Sequence, residues 1–332
     1  MNPRVLVVGS FVQDLSFRCE RFPAPGESVV GVFADGPGGK GLNQAVAATR
    51  AGVPAGFIGA VGRDAFGAGA RVFCRAAGIR ARFLTKPGHA TAAATVLVNR
   101  AGQNQIVVAL GASARLHPRD VPAAAVRGAR VVVCQHEANL EINAHVFHLA
   151  RRAGATTVLN PAPMRPDLTP ALLANVDVLI PNETEFAALV NQRGGARRFT
   201  VARLHALAPA ALQALCRTLG VPTVIVTLGK KGVFVSQPAG ATFLPAHRVR
   251  AVDTTGAGDA FVGGFAAGLV KFSGDVLAAA RFGNAVAALS VTKAGTAPAM
   301  PTQREIAAFL KVERVDLNAL GSPPVVNPRK AR

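Results

Sequence analysis

Short apolar runs alternate with helix-periodic stretches along most of this chain. Residues 4–9 form one apolar run of strand length, Val5-Leu6-Val7-Val8 ending at Gly9. Over residues 12–35 polar and apolar positions mix, and Pro23, Pro25 and Gly26 interrupt them, which predicts loop with short extended pieces. Gly36-Pro37-Gly38-Gly39 predicts a turn. Residues 43–50 carry a helical pattern (Ala45, Val46, Ala47, Ala48) stopped by Gly52 and Pro54. A strand at 57–61 and a helix through 72–77 follow. Residues 91–98 and 103–110 alternate small polar with apolar positions around Arg100-Ala101-Gly102, the pattern of a β-hairpin. From residue 128 on, strands are predicted at 130–134, 156–159, 177–180 and 223–227. Helices are predicted at 141–153, 184–190, 209–219, 259–270, 275–292 and 303–311. This alternation predicts an α/β fold: a mostly parallel sheet with helices on both faces. Residues 191–208 break the rhythm and predict a surface insertion. Residues 313–332, with Pro323, Pro324 and Pro328, predict a loose basic tail.

Composition adds bounds rather than detail. The 332 residues are 50% hydrophobic and 17% charged, enough for a large core and against disorder. The net charge of +19 invites a nucleic-acid reading. The basic residues are spread along the chain, however, and Trp and Tyr are absent, so no stripe interleaves aromatics with basics. The densest cluster is Arg193, Arg197, Arg198 and Arg203. An anionic small substrate accounts for the charge as well, and no specific nucleic-acid partner is expected. Cys19, Cys74, Cys134 and Cys216 are far apart and form no Cys-x-x-Cys pair, which suits free thiols in a reducing cytoplasm. No run approaches the ~20 apolar residues of a membrane span, so a soluble cytoplasmic protein without a membrane partner is expected.

The richest stretch is Val252-Asp253-Thr254-Thr255-Gly256-Ala257-Gly258-Asp259-Ala260-Phe261. A glycine turn here feeds a helix, whose first turn carries unpaired N–H groups and a partial positive charge. Such a turn suits a phosphate. A carboxylate beside it suits a base that deprotonates a hydroxyl attacking a phosphoryl group. Alone, the same residues also read as a helix capped by Asp. Gly36-Pro37-Gly38-Gly39-Lys40-Gly41-Leu42-Asn43 is a second glycine-rich helix entry. It is not a Walker A loop, because Gly41 rather than Ser or Thr follows the Lys. Asn182-Glu183-Thr184-Glu185 follows a predicted strand, where a carboxylate could serve Mg²⁺ or simply meet a helix dipole. Thr227-Leu228-Gly229-Lys230-Lys231-Gly232 follows another strand, and its lysines could neutralise nucleotide phosphate.

Together, and in this order, these motifs resemble those of the ribokinase-like family of carbohydrate kinases, which also includes adenosine kinase. The likeness spans about residues 4–311. Gly39-Lys40-Gly41-x-Asn43-Gln44-Ala45 resembles the family's first signature, and Asp253-Thr254-x-Gly256-Ala257-Gly258-Asp259-Ala260-Phe261 resembles its second. Asn160-Pro161-Ala162-Pro163 and Pro181-Asn182-Glu183-Thr184-Glu185 match as well.

The resemblance implies a three-layer α/β/α kinase domain over residues 1–312, with a small β-sheet lid from about 12–35 and 91–110. It implies an ATP-dependent kinase acting on a primary hydroxyl of ribose or a related sugar. A nucleoside kinase acting on a ribose 5′-hydroxyl is the alternative, with Phe11 and Val12 packing on the base. Asp259 would be the base, and the amides of Gly256, Ala257 and Gly258 the anion hole. Asp14, Gly39, Lys40, Asn43, Glu137 and Asp259 would contact the sugar. Asn182, Thr227, Gly229, Lys230, Gly232, Gly258 and Asn284 would line the ATP site. Glu185 would help hold Mg²⁺ through water. Asp253, Thr255, Ser290, Lys293 and Gly295 would surround K⁺. A homodimer through the lid is also implied.

Two positions depart from the family pattern. Val12 stands where ribokinases carry Asn and cannot hydrogen-bond a sugar hydroxyl. Ala299 stands where a hydroxyl ligand of K⁺ is often found.

Overall fold

The computed structural model describes residues 3–194 and 198–312. In chain order the elements are β1 (Val5–Val8), β2 (Val12–Cys19), β3 (Gly31–Gly38), α1 (Lys40–Arg50), β4 (Ala55–Val61), α2 (Ala65–Ala76), β5 (Arg80–Thr85), β6 (Ala93–Val98), β7 (Asn104–Ala109), α3 (Ala123–Val126) and β8 (Val131–Gln135). Next come α4 (Leu140–Arg152), β9 (Thr156–Asn160), α5 (Pro170–Leu173), β10 (Val178–Leu179), α6 (Glu183–Gln192), α7 (Val201–His205), α8 (Pro209–Thr218) and β11 (Thr223–Thr227). The chain ends in β12 (Gly232–Gln237), β13 (Gly240–Pro245), α9 (Ala257–Lys271), α10 (Val276–Ser290) and α11 (Gln303–Val312).

A nine-stranded sheet runs β13-β12-β11-β10-β9-β8-β1-β4-β5. It is parallel from β11 to β5, and the β12–β13 hairpin closes one edge antiparallel. Strand β1 explains why both faces are covered. Val5 and Val7 join the core shared with α1, α9 and α10, while Leu6 and Val8 join the core shared with α4, α6 and α8. An apolar run with period-2 geometry needs a layer on each side. The architecture is therefore three-layer α/β/α, as expected. A second sheet, β3-β2-β6-β7, stands apart from it. Here the expected hairpin appears as β6–β7. No helix among the described residues is long and apolar enough to cross a membrane.

Several expectations need correction. Residues 12–35 hold two long strands, and Gly36–Gly38 continue β3 by pairing with Val12–Asp14 instead of turning. The residues between 191 and 208 are not a purely superficial insertion. Phe199 and Leu204 are buried in the core, and Phe199 packs edge-on against Phe186. The expected tail at 313–332, and Arg197 of the basic cluster, lie outside the described residues.

Helix α9 is held unusually close to its neighbours. A Cβ on Gly263 would meet the Gln44 carbonyl oxygen at 2.4 Å, and one on Gly268 would meet Ala279 Cα at 2.7 Å. Overpacking of this kind costs about 1–3 kcal/mol. Gly263→Ala is therefore expected to lower the melting temperature. Gly69 on exposed α2 meets nothing within 4 Å, so Gly69→Ala should be neutral or stabilising by up to about 1 kcal/mol. Equal melting temperatures for the two variants would contradict this packing.

Candidate active site

Two helix entries converge beside the C-terminal ends of the parallel strands, where open α/β sheets place their ligands. Gly39 precedes α1 with φ 91°, and a Cβ there would sit 2.7 Å from the Val12 backbone nitrogen. Gly256 precedes α9 in the left-handed conformation with φ 77°. No side chain caps α9, so its first-turn amides are left for a ligand. Asp259 lies in that first turn and is buried. A cavity of about 180 Å³ opens here. Lys40, Asn182, Glu185 and Thr227 line it together with Gly256, Ala257, Gly258 and Asp259.

The side chains around Asp259 form one bonded group. Asn43 Nδ2 donates to Asp259 Oδ2 at 2.9 Å, and Gln44 Nε2 donates to Asp259 Oδ1 at 2.9 Å. Asn43 Oδ1 is buried without a partner among the described residues, an acceptor open to a ligand hydroxyl. Glu137 accepts the Lys40 backbone N–H at 2.9 Å and a short hydrogen bond from Ser10 Oγ. Burial works against the Lys40 ammonium, but the charges of Asp259, Glu137 and Glu185 outweigh it and hold its pKa above the usual value.

Asp14 extends from β2 over Gly38, where any Cβ would meet its carboxylate. Burial raises its pKa to about 6. The Thr296 hydroxyl, donating at 3.3 Å, pulls it down, and the charges of Glu137 and Asp259 push it up. A raised acid pKa lends stability that is complete below the ordinary value of 3.8 and is lost as pH rises through about 6. Asp14→Asn is therefore expected to raise the melting temperature near neutral pH, where the buried charge costs stability. If this carboxylate also holds a substrate hydroxyl, KM for that substrate should climb as pH falls below about 6 and Asp14 loses its charge. A KM that stays flat across that range would contradict a binding role for Asp14.

On the nucleotide side, Asn182 and Glu185 form a reciprocal capping box at the start of α6. Glu185 Oε2 accepts the Asn182 N–H and Oε1 accepts Asn182 Nδ2, both at 2.9 Å. Burial raises the Glu185 pKa, against the Asn182 hydrogen bond and the Lys40 charge. Thr227 bridges to Asn182 across the strand ends. Gly229, Gly232, Asn284 and the exposed Lys230 do not line the cavity. Asn284 Nδ2 donates to the Pro245 carbonyl, and Gly232 makes room for the Leu244 oxygen in the β12–β13 hairpin.

The residues expected around K⁺ lie on the loop before α9 and at the end of α10 with the loop that follows it. Asp253 accepts from the Thr255 N–H at 2.9 Å and the Gly295 N–H at 3.0 Å. Burial raises the Asp253 pKa, but these bonds and the Arg18 charge bring it below the usual value. The Lys293 N–H donates to the carbonyl of Ser290, the last residue of α10. Among the described residues no group of three or more His, Cys, Asp and Glu could hold a metal.

Phe11 and Val12 do not offer a surface for a base. Both are buried, and Phe11 packs edge-on against Phe83. His136 is also buried; burial lowers its pKa to about 4, so it is neutral. Sequence reasoning assigned no role to Gln44, Asn160 or Thr296. Gln44 and Asn160 sat inside quoted motifs, but their partners are distant in sequence.

A protein-family model, described as pfkB family carbohydrate kinase, matches residues 2–303. The chain is 34% identical over 311 residues to a ribokinase of Staphylococcus aureus, covering 92% of this chain and 99% of that one. It is 33% identical over 312 residues to a deoxyribokinase of Salmonella typhi, covering 93% and 99% respectively. Among solved structures it is similar to Arabidopsis thaliana ribokinase complexed with ribose and ATP. The TM-score there is 0.79 at 30% identity, covering 94% of this chain and 99% of that one.

Proposed function

The chain belongs to the pfkB family of carbohydrate kinases, and on that premise we propose that it transfers the γ-phosphoryl group of ATP to a primary hydroxyl of ribose or a closely related sugar. The observation that carries this reading is Asp259, buried in the uncapped first turn of α9 and aligned by two amide donors. Asp259 takes the proton from the sugar hydroxyl. The oxygen then forms a bond to the γ-phosphorus while the bond to the β-phosphate oxygen breaks, releasing ADP. The amides of Gly256, Ala257 and Gly258 receive the charge on the transferring group, in a setting where fixed dipoles need no reorganisation.

Asp14, Gly39, Lys40, Asn43 and Glu137 hold the sugar. Asn182 and Thr227 support the nucleotide from the strand ends, with Gly229, Lys230, Gly232 and Asn284 farther along it. Glu185 would hold Mg²⁺ through water, and the Asp253–Gly295 loops would hold K⁺. When bound, these cations supply positive charge that offsets the phosphates.

The small sheet serves as a lid, and its apolar exposed residues, including Val32, Phe33, Ile106 and Val107, support dimerisation through it. Val12, Ala92 and Ala94 form a small apolar cluster, and strand pairing sets Ala94 beside Asp14. That wall suits a sugar needing no hydrogen bond there and keeps deoxyribose within the substrate class. The test is ADP release from ATP with Mg²⁺ and K⁺, with and without ribose. Sugar-dependent release supports the reading; equal release without sugar contradicts it.

A further inference from the structure

We propose that Gln44 is a positioning residue for Asp259, its amide turned the right way by Gln135 and Asn160. The proposal rests on the assignment of Asp259 as the base.

The geometry is a relay of buried amides. Gln44, Gln135 and Asn160 are all buried. Asn160 Nδ2 donates to the Ile180 carbonyl at 2.9 Å, so Asn160 must present Oδ1 on its other side. Gln44 Nε2 donates to that Oδ1 at 3.2 Å and to Asp259 Oδ1 at 2.9 Å. Gln135 Nε2 donates to Gln44 Oε1 at 2.6 Å. Two restraints therefore agree on the orientation of Gln44: its oxygen faces Gln135 and its nitrogen faces the base. The Ile180 backbone carbonyl, which cannot flip, fixes Asn160 and through it the nitrogen side of Gln44. Gly9 leaves the space that Gln135 occupies, since a Cβ there would lie 2.0 Å from Gln135 Oε1.

Amides suit this task chemically. A carboxylate oxygen can accept more than one hydrogen bond. With Asn43 on Oδ2 and Gln44 on Oδ1, both oxygens are fixed, yet each keeps capacity to face a hydroxyl. An amide donor carries no exchangeable charge and does not compete for the proton. A misplacement of about 1 Å at such a group can cost about 100-fold in rate.

The experiment compares Gln44→Met with the unaltered enzyme, in both the normal and the Asp259→Asn background. Methionine keeps length and volume but donates nothing. The expected result is a kcat lower by about 10- to 100-fold with KM for ATP and sugar nearly unchanged. In the Asp259→Asn background the same replacement should have little further effect. Gln135→Met, one step removed, should lower kcat in the same direction by less, and it keeps the test open if Gln44→Met folds poorly. An unchanged kcat in both variants would overturn the proposal. So would an equal loss in the Asp259→Asn background, which would show that Gln44 acts elsewhere. Failure of the base assignment is separately visible, because Asp259→Asn alone would then remain active.

Discussion

Asp259→Asn is expected to lower kcat by about 1,000-fold, within the range lost when a general base is removed. Asparagine keeps the shape but cannot accept the sugar proton. The new amide also brings N–H groups toward Asn43 Nδ2 and Gln44 Nε2, which already donate to this side chain. One of these contacts must give way, so a modest stability loss of about 1–3 kcal/mol accompanies the kinetic one. ATP affinity, measured by calorimetry, should be nearly unchanged, because the first-turn amides of α9 are backbone groups. Loss of ATP binding together with kcat would point to a collapsed helix entry instead.

The second large effect is expected from Lys40→Met. The Lys40 ammonium is attracted by the charges of Asp259, Glu137 and Glu185, and it is one of the influences that pull the Glu185 pKa down. Removing it leaves buried carboxylates without their counter-charge, a change that costs about 3–5 kcal/mol in comparable settings. Turnover should fall about 100-fold or more through loss of positive charge near the transferring group. The pH dependence separates this from simple loss of packing. Burial already raises the Glu185 pKa against the Lys40 charge, and a carboxyl raised in the folded state lends stability below its unfolded pKa and loses it as pH rises through the folded one. The stability deficit of Lys40→Met should therefore be greatest near neutral pH and shrink toward pH ~4, where unperturbed carboxylates begin to protonate. A deficit constant with pH would contradict the electrostatic role.

Much of the frame was legible because apolar periodicity survives in buried elements. β1, β4, β8, β9 and β11 are short apolar runs buried on both faces, and each was anticipated within a few residues. Strands whose faces carry polar side chains were harder to read. β5 reads Arg-Ala-Arg-Phe-Leu-Thr, and its outward arginines hide the pattern. β2 carries Gln13, Asp14 and Arg18 because one face serves the site and the other is open. Helix α9 starts at Ala257 instead of Asp259, since Gly256 turns the chain without any capping side chain to mark the start.

The site followed a similar division. The base and its glycines are contiguous, so Gly256 to Asp259 could be singled out from local sequence. Gln44, Asn160 and Gln135 are joined by bonds that span 91 to 215 residues, including the link to Asp259. No local pattern signals such a network; only the packing of α1 against α9 and the strand ends assembles it.

The most direct test of the central claim is to incubate the protein with ATP, Mg²⁺ and K⁺ and one acceptor at a time, then identify the phosphorylated product by phosphorus NMR. The acceptors are ribose, deoxyribose, fructose, adenosine, inosine and guanosine. The account predicts a phosphate monoester on the primary hydroxyl of a free sugar, formed in step with ADP and abolished in Asp259→Asn. Phosphorylation of nucleosides alone, or a sugar phosphate formed equally well by Asp259→Asn, would contradict it.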